Sequence, residues 1–373
     1  MVKDRAEEEK EAVPDHGEGG LVMDTKAKEI IALENEYVLQ TYPRPDFVLE
    51  RGEGAYLFDS EGRKYLDFAA GYAVNALGHG DKQILEAIEQ QARKVLHVSV
   101  LHHSEPHVRL SQLLIESCFA QRAFYANSGA ESVEAALKFA RKWARVNFNP
   151  SKYEFVAFTG SFHGRTFGAL STTWPEKWRA PFEPLLPGVH FATFNDLASA
   201  KKAIRDATCA AIVEPVQADG GCNVAQRDFL AGLRELCDQH NALLIFDEVQ
   251  CGLGRTGYLW AHESYDVYPD IMCVGKSLGG GLPLSATLVT ERVAEAIEPW
   301  DHATTHSANP LICNVAEVVV RRVSDPAFLA SVREKGERLQ SELRALQDAF
   351  PVVTEVRGCG LLVGVEVAAN AWD

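Results

Sequence analysis

Residues Ala242 to Gly257 read ALLIFDEVQCGLGRTG. The five apolar residues Ala242 to Phe246 are strand-length and lack helical periodicity, which predicts a strand buried on both faces, as in a parallel sheet. It ends on two acids, Asp247 and Glu248. Ligands of open α/β sheets bind outside the C-terminal edge of the strands, so an acid there is a site candidate rather than a solvated charge. Downstream, CVGKSLGGGLP places Lys276 after a second predicted strand, Ile271 to Val274. Its loop holds Gly275, Gly279, Gly280 and Gly281, which let backbone approach a ligand closely. An acid and a lysine are thereby expected to converge on one rim.

Spacing decides among three uses of that pair. Gly252, Gly254 and Gly257 spell G-x-G-x-x-G, but DEVQC separates the strand from the first glycine and YLWAHESYDVYPD makes no convincing helix, so the dinucleotide context is missing. Gly275-Lys276-Ser277 looks like the end of a phosphate-binding Walker loop, yet the earlier glycine falls on Asp270. The third use is a lysine that condenses with pyridoxal phosphate, where a carboxylate partners the pyridine nitrogen and the ring becomes an electron sink.

Other predicted strands end on the same kind of edge. Ala123 to Ala126 leads through Asn127-Ser128-Gly129 into a helix from Ala130 to about Val146. Such a turn aims free N–H groups and a helix N-terminus at one point, which suits a phosphate; an ordinary N-capped helix is the other reading. Glu154 to Phe158 leads to Ser161-Phe162-His163-Gly164-Arg165-Thr166, where Phe162 is placed to stack on a planar ring and Arg165 is either a surface cation or a fork for a carboxylate. Beyond a strand near Val189 and a helix near Asp196, Cys209 to Val213 ends on Glu214, which either caps or pairs locally or masks a cation of the site. Ala286 to Val289 is a further strand, followed by a helix from about Glu291.

The flanks read as support. Thr25 to Gln40 has helical spacing, VLERGEGAYLFDSEGRKYLDF reads as a meander turning at Asp59 to Gly62, and Asp81 caps a helix with Ile84, Leu85, Ile88, Ala92 and Val95 as its apolar stripe. Helical segments from Leu311 to Phe350 and strands around Val352 and Leu361 open a smaller α+β domain. With 373 residues, 46% of them hydrophobic, and no run of membrane-spanning length, a globular chain is expected. The net charge of −15 argues against nucleic acid or an anionic membrane surface, since either needs a basic face. The eight cysteines show no C-x-x-C spacing, which points to reduced thiols and a reducing compartment, the cytoplasm or alternatively an organelle matrix. No metal site is expected: His103 and His107 are four apart, but Pro106 between them spoils a helix interior.

Taken together, DEVQCGLGRTG, the Lys276 loop, NSGAES, SFHGRT, EPVQ and TTHSANP resemble the class III (ω-amino acid) aminotransferases, pyridoxal-phosphate enzymes of fold type I, from about Thr25 to about Val367. The resemblance implies an α/β large domain with a mostly parallel sheet (76–305), a disordered acidic tail (1–22), an N-terminal cap (23–75) and a partial small domain (306–373). It implies Lys276 and Asp247 as catalytic residues. Ser128, Gly129 and Ala130 would hold the phosphate, Phe162 and Val249 would lie at the ring, and Gln250 would meet the ring hydroxyl. It also implies a homodimer in which Thr305 reaches the neighbouring subunit's phosphate. Arg165, Glu214, Thr304, Tyr42 and Tyr72 fall where such enzymes bind substrate: N-acetylornithine, with ornithine or 4-aminobutyrate as alternatives, and 2-oxoglutarate as acceptor. The family's EP-x-Q-G-E-G-G reads EPVQADGG here, and its small-domain carboxylate-binding arginine is not found before Asp373. A catalytically silent paralogue that binds a partner is the alternative from another class.

Overall fold

The computed structural model describes residues 24–368, and contacts divide it into two compact units, one ending at Phe68 and one beginning at Ala69. The acidic segment expected to form a disordered tail lies outside the described residues.

In the first unit, helix α1 (Thr25–Tyr37) ends three residues before the expected Gln40, because the backbone turns extended at Val38. Strands β1 (Leu49–Glu53), β2 (Tyr56–Asp59) and β3 (Lys64–Leu66) form the expected antiparallel meander. Its turn is built by Asp59, whose carboxylate accepts the N–H groups of Glu61 and Arg63 at 3.0 and 2.9 Å, and by Gly62 at φ +82°.

Among the described residues the second unit holds a seven-stranded sheet: β4 (Arg122–Ala126), β5 (Glu154–Phe158), β6 (Val189–Ala192), β7 (Thr208–Val213), β10 (Leu243–Asp247), β11 (Ile271–Val274) and β12 (Ser285–Val289). A two-stranded ribbon, β8 (Val216–Gln217) and β9 (Asn223–Val224), follows β7. The spatial order is β4-β12-β11-β10-β7-β5-β6, and β12 alone runs antiparallel to its neighbours. Every residue of β7, β10 and β11 is buried, which is why their sequences carry unbroken apolar runs instead of alternation. The order reverses between β5 and β7, and a crevice at such a reversal is where open sheets take ligands.

Helices cover both faces, and the alternation of side chains along β10 tells them apart. Leu243 and Ile245 pack with Val133, Ala136, Phe139 and Trp143 of helix α4 (Gly129–Asn147). Leu244 and Phe246 pack with Phe229, Leu230 and Leu233 of helix α5 (Arg227–Gln239). The next residue in phase with Ile245 is Asp247, so its side chain emerges on the α4 side.

Two expectations need correction. In helix α2 (Lys82–Ala92) Asp81 caps the first turn as read, accepting from Gln83 and Ile84, but Leu85 is 56% exposed and Val95 37%. The buried face is Ile84, Ala87 and Gln91, because a 3.6-residue turn carries Leu85 about 100° away from Ile84. Helix α3 (Glu105–Glu116) does contain Pro106, in its first turn, where a missing N–H breaks no helical bond. Toward the C-terminus, α6 (Pro310–Val323) and α7 (Pro326–Ala349) are separated by the cap Asp325. A hairpin of β13 (Val353–Cys359) and β14 (Leu362–Val367) packs on α7. No helix among the described residues is long and apolar enough to cross a membrane.

Candidate active site

Five strand ends supply the site, and all lie on one edge of the sheet. Asp247 closes β10, 4% exposed. Its Oδ1 accepts the Val249 N–H at 3.0 Å and its Oδ2 meets His163 Nδ1 at 2.7 Å. An ionised carboxylate only accepts, so Nδ1 carries the proton of that bond. His163 follows β5 and is itself buried, and its Nε2 has no hydrogen-bond partner among the described residues. Sequence reading had passed over His163; its only signal was its place beside Phe162 after a strand end.

Glu248 is not a second site acid. One residue out of phase with Asp247, it turns away and accepts the backbone N–H groups of Ala261 and His262, and the His262 ring at 2.8 Å, tying down the 3₁₀ turn Ala261–Ser264.

Lys276 begins a 3₁₀ turn (Lys276–Gly279) with φ +42°, a left-handed backbone that a side chain adopts only at a cost. Burial lowers the pKa of its amine, while the charges of Asp219, Asp247 and Glu214 pull the other way. It faces a cavity of about 270 Å³ shared with Asp247. Gly129, Ala130, Phe162, Arg165, Glu214, Val249 and Gln250 line the same cavity, so nine of the expected residues meet there with Lys276 and Asp247 included.

Around the cavity three glycines allow close approach. A Cβ on Gly129 would lie 2.5 Å from Val249 Cγ1, one on Gly164 would lie 2.7 Å from Ala130 Cβ, and one on Gly275 would lie 3.4 Å from Gly129 Cα. Here the N-terminus of α4, the positive end of its dipole, stands open. Ser128 is the N-cap, accepting from the Glu131 N–H at 3.3 Å, and the Glu131 carboxylate reaches back to the Asn127 N–H at 2.9 Å.

Glu214 directly follows β7 and accepts the Phe162 N–H at 3.0 Å. Burial, and then the charge of Asp247, hold its carboxyl well above the usual carboxylate range. It forms no ion pair with an arginine among the described residues; its partner is that backbone N–H. Phe162 meets the Trp178 ring edge-on at 5.8 Å, and the Arg165 guanidinium lies 3.9 Å above Trp178 with no carboxylate partner among the described residues.

Five expected residues stand apart from the cavity lining: the cap Ser128, and Thr304, Thr305, Tyr72 and Tyr42. Thr304 accepts from Asn127 Nδ2 at 3.1 Å, next to the Ser128 cap, and Thr305 is exposed. Tyr72 is 76% exposed, at φ +63°. Tyr42 belongs to the first unit, where it lines a hollow with Gln40 and Arg44. Five cavity residues had no assigned role: His163, Gly164, Val216, Asp219 and Cys251.

Pyridoxal phosphate fits what is present. Its ring nitrogen calls for a buried carboxylate and its phosphate for an open helix N-terminus. Gln250 Oε1, buried and unpartnered among the described residues, is an acceptor awaiting a hydroxyl.

Comparison with known proteins agrees. The family model "Aminotransferase class-III" matches residues 37–372. The mitochondrial acetylornithine aminotransferase of Alnus glutinosa is 49% identical over 349 residues, 92% of this chain and 77% of that protein. The succinylornithine transaminase of Yersinia pseudotuberculosis is 46% identical over 342 residues, 90% and 83%. Among solved structures, the ornithine aminotransferase of Toxoplasma gondii superposes with a TM-score of 0.89 at 33% identity, over 95% of this chain and 85% of that one. With this match spanning nearly the whole chain and the cavity suited to the cofactor, the chain belongs to the class III aminotransferases, enzymes that work through pyridoxal phosphate.

Proposed function

We propose that this aminotransferase removes the terminal amine of N-acetylornithine and passes it to 2-oxoglutarate, with Lys276 and Asp247 as its catalytic residues. The observation that carries the assignment of residues is the pairing of Lys276 with Asp247 across one cavity at the N-terminus of α4. The choice of donor is supported by the acetylornithine aminotransferase of Alnus glutinosa, whose match covers nine-tenths of this chain.

When bound, the cofactor supplies an electron sink for the carbon that bears the substrate amine. Ser128, Gly129 and Ala130 hold its phosphate at the helix N-terminus. Phe162 and Val249 enclose its ring, Gln250 meets its hydroxyl, and Asp247 keeps a proton on its ring nitrogen by opposite charge. The Lys276 amine, with its pKa lowered by burial, is suited to take a proton from the substrate carbon and return one. Arg165, which has no carboxylate partner among the described residues, receives the substrate carboxylate at the cavity wall through its planar fork. Glu214, Thr304 and Tyr72 complete the substrate region. The enzyme acts as a homodimer, in which Thr305 serves the phosphate site of the partner subunit.

The test is the half-reaction followed by absorbance. Bleaching of the holoenzyme by N-acetylornithine at a higher kcat/KM than by ornithine or 4-aminobutyrate is expected; a preference for ornithine would reassign the donor. Lys276→Ala should lose roughly 10⁴-fold or more in rate together with the lysine-bound chromophore. Full activity in that variant would end the assignment.

A further inference from the structure

We propose that Arg357, on the C-terminal hairpin, is a positioning residue that sets where the Asp219 carboxylate stands in front of Lys276. The inference rests on the assignment of Lys276 as the cofactor-bearing lysine.

Asp219 lines the Lys276 cavity from the loop between β8 and β9, whereas the other two acids there, Glu214 and Asp247, leave the ends of β7 and β10 directly. Its place is therefore set by whatever grips the loop. On the inner side the loop is pressed against the sheet: a Cβ on Gly220 would lie 2.4 Å from the Gly160 carbonyl oxygen. Gly221 at φ +109° and Cys222 at φ +56° then fold the chain back toward β9. On the outer side stands the hairpin. Arg357 Nε donates to the Gly221 carbonyl at 2.6 Å, and a Cβ on Gly221 would lie 2.9 Å from Arg357 Nη2. Two carboxylates, Glu355 and Glu366, each accept from Arg357 Nη1 at 2.6 Å and fix the fork from behind. Among the described residues this is the one side-chain hydrogen bond from the hairpin to the loop.

A guanidinium held at one edge by two acids and presenting its other edge to a carbonyl is a rigid strut. It ends two residues from Asp219. The groups facing Lys276 are Asp219, Asp247, Glu214 and Cys251, with Arg165 on the same cavity wall and His163 behind Asp247. Of the three acids, Asp219 alone depends on the strut, so loss of Arg357 displaces one charge and leaves the others in place. A nearby anion holds the pKa of a protonated nitrogen up, and Asp219 is the first of the charges that raise that of Lys276.

The experiment is an absorbance pH titration of the holoenzyme, with thermal unfolding alongside, for wild type, R357Q, D219N and the double variant. D219N is expected to lower the apparent pKa of the Lys276 chromophore by roughly 0.5–1 unit. R357Q lowers it by part of that amount, and the double variant matches D219N alone. A wild-type titration in folded R357Q overturns the proposal, as does an R357Q shift that persists undiminished in the D219N background. R357K keeps the charge but cannot serve the carbonyl and both carboxylates in one plane, and it decides the same comparison in both backgrounds if R357Q does not fold. Failure of the underlying assignment looks different: the wild-type chromophore would survive Lys276→Ala.

Discussion

Asp247 and Glu248 are neighbours in sequence, both are buried, and each meets a histidine ring, His163 at 2.7 Å and His262 at 2.8 Å. Only one of these pairs belongs to the site. The Glu248 pair is closed: its two oxygens take two backbone N–H groups and a ring nitrogen, and the product is a fixed turn. The Asp247 pair opens onto a cavity and leaves His163 Nε2 unpartnered among the described residues. A buried acid–histidine contact is thus no mark of chemistry by itself. What separates the two is which face of the sheet the strand's phase gives them, and whether capacity for interaction is left over.

Exchanging the two acids for amides would break the comparison most sharply. Asp247→Asn removes the charge proposed to face the cofactor's ring nitrogen, and kcat/KM should fall roughly 10²–10³-fold, about 2.7–4 kcal/mol, the scale of losing one preorganised electrostatic contact. The midpoint of thermal unfolding should move little. Glu248→Gln is expected to do the reverse. An amide NH₂ is forced against a backbone N–H that needs an acceptor, costing roughly 2–4 kcal/mol of stability, visible as a lower denaturant midpoint, while kcat/KM per folded molecule stays near wild type. Equal loss of activity in both would erase the distinction between the pairs.

Much of this geometry was legible from residues alone. Apolar runs in β7, β10 and β11 gave the strands because a strand covered on both faces needs no alternation, and the acid or glycine after each run marked the rim. The two histidine pairs were not legible in the same way. His163 is 84 residues from Asp247 and depends on β5 and β10 bracketing β7, a fact of strand order. His262 reaches Glu248 through a 3₁₀ turn in a stretch with no helical period. The stripe on α2 went wrong for a simpler reason: Leu85 is apolar, but one position off the buried face.

His163 offers a smaller effect that sharpens the same contrast. Its bond to a charged acceptor is worth roughly 1.5–3 kcal/mol, so His163→Leu should lower kcat/KM by about 10–100-fold and shift the pH profile of the half-reaction. His163→Asn, which restores an N–H donor, should recover most of both. A purely structural role would change stability and leave the profile unmoved.

The mildest test concerns the other strand-ending acid. Burial and the Asp247 charge raise the pKa of Glu214, so over the window from the ordinary carboxylate pKa up to the raised native one, the folded state holds a proton that the unfolded state has released. Stability must then decline as pH rises through that window, on the order of 1 kcal/mol per pH unit for one group. Glu214→Gln supplies the neutral form permanently and should flatten the slope, becoming more stable than wild type near pH 8 and about equal to it near pH 5 in urea unfolding of the cofactor-free protein. A steeper slope in the variant would mean that Glu214 is ionised in the fold, and that it faces Lys276 as a third anion beside Asp219 and Asp247.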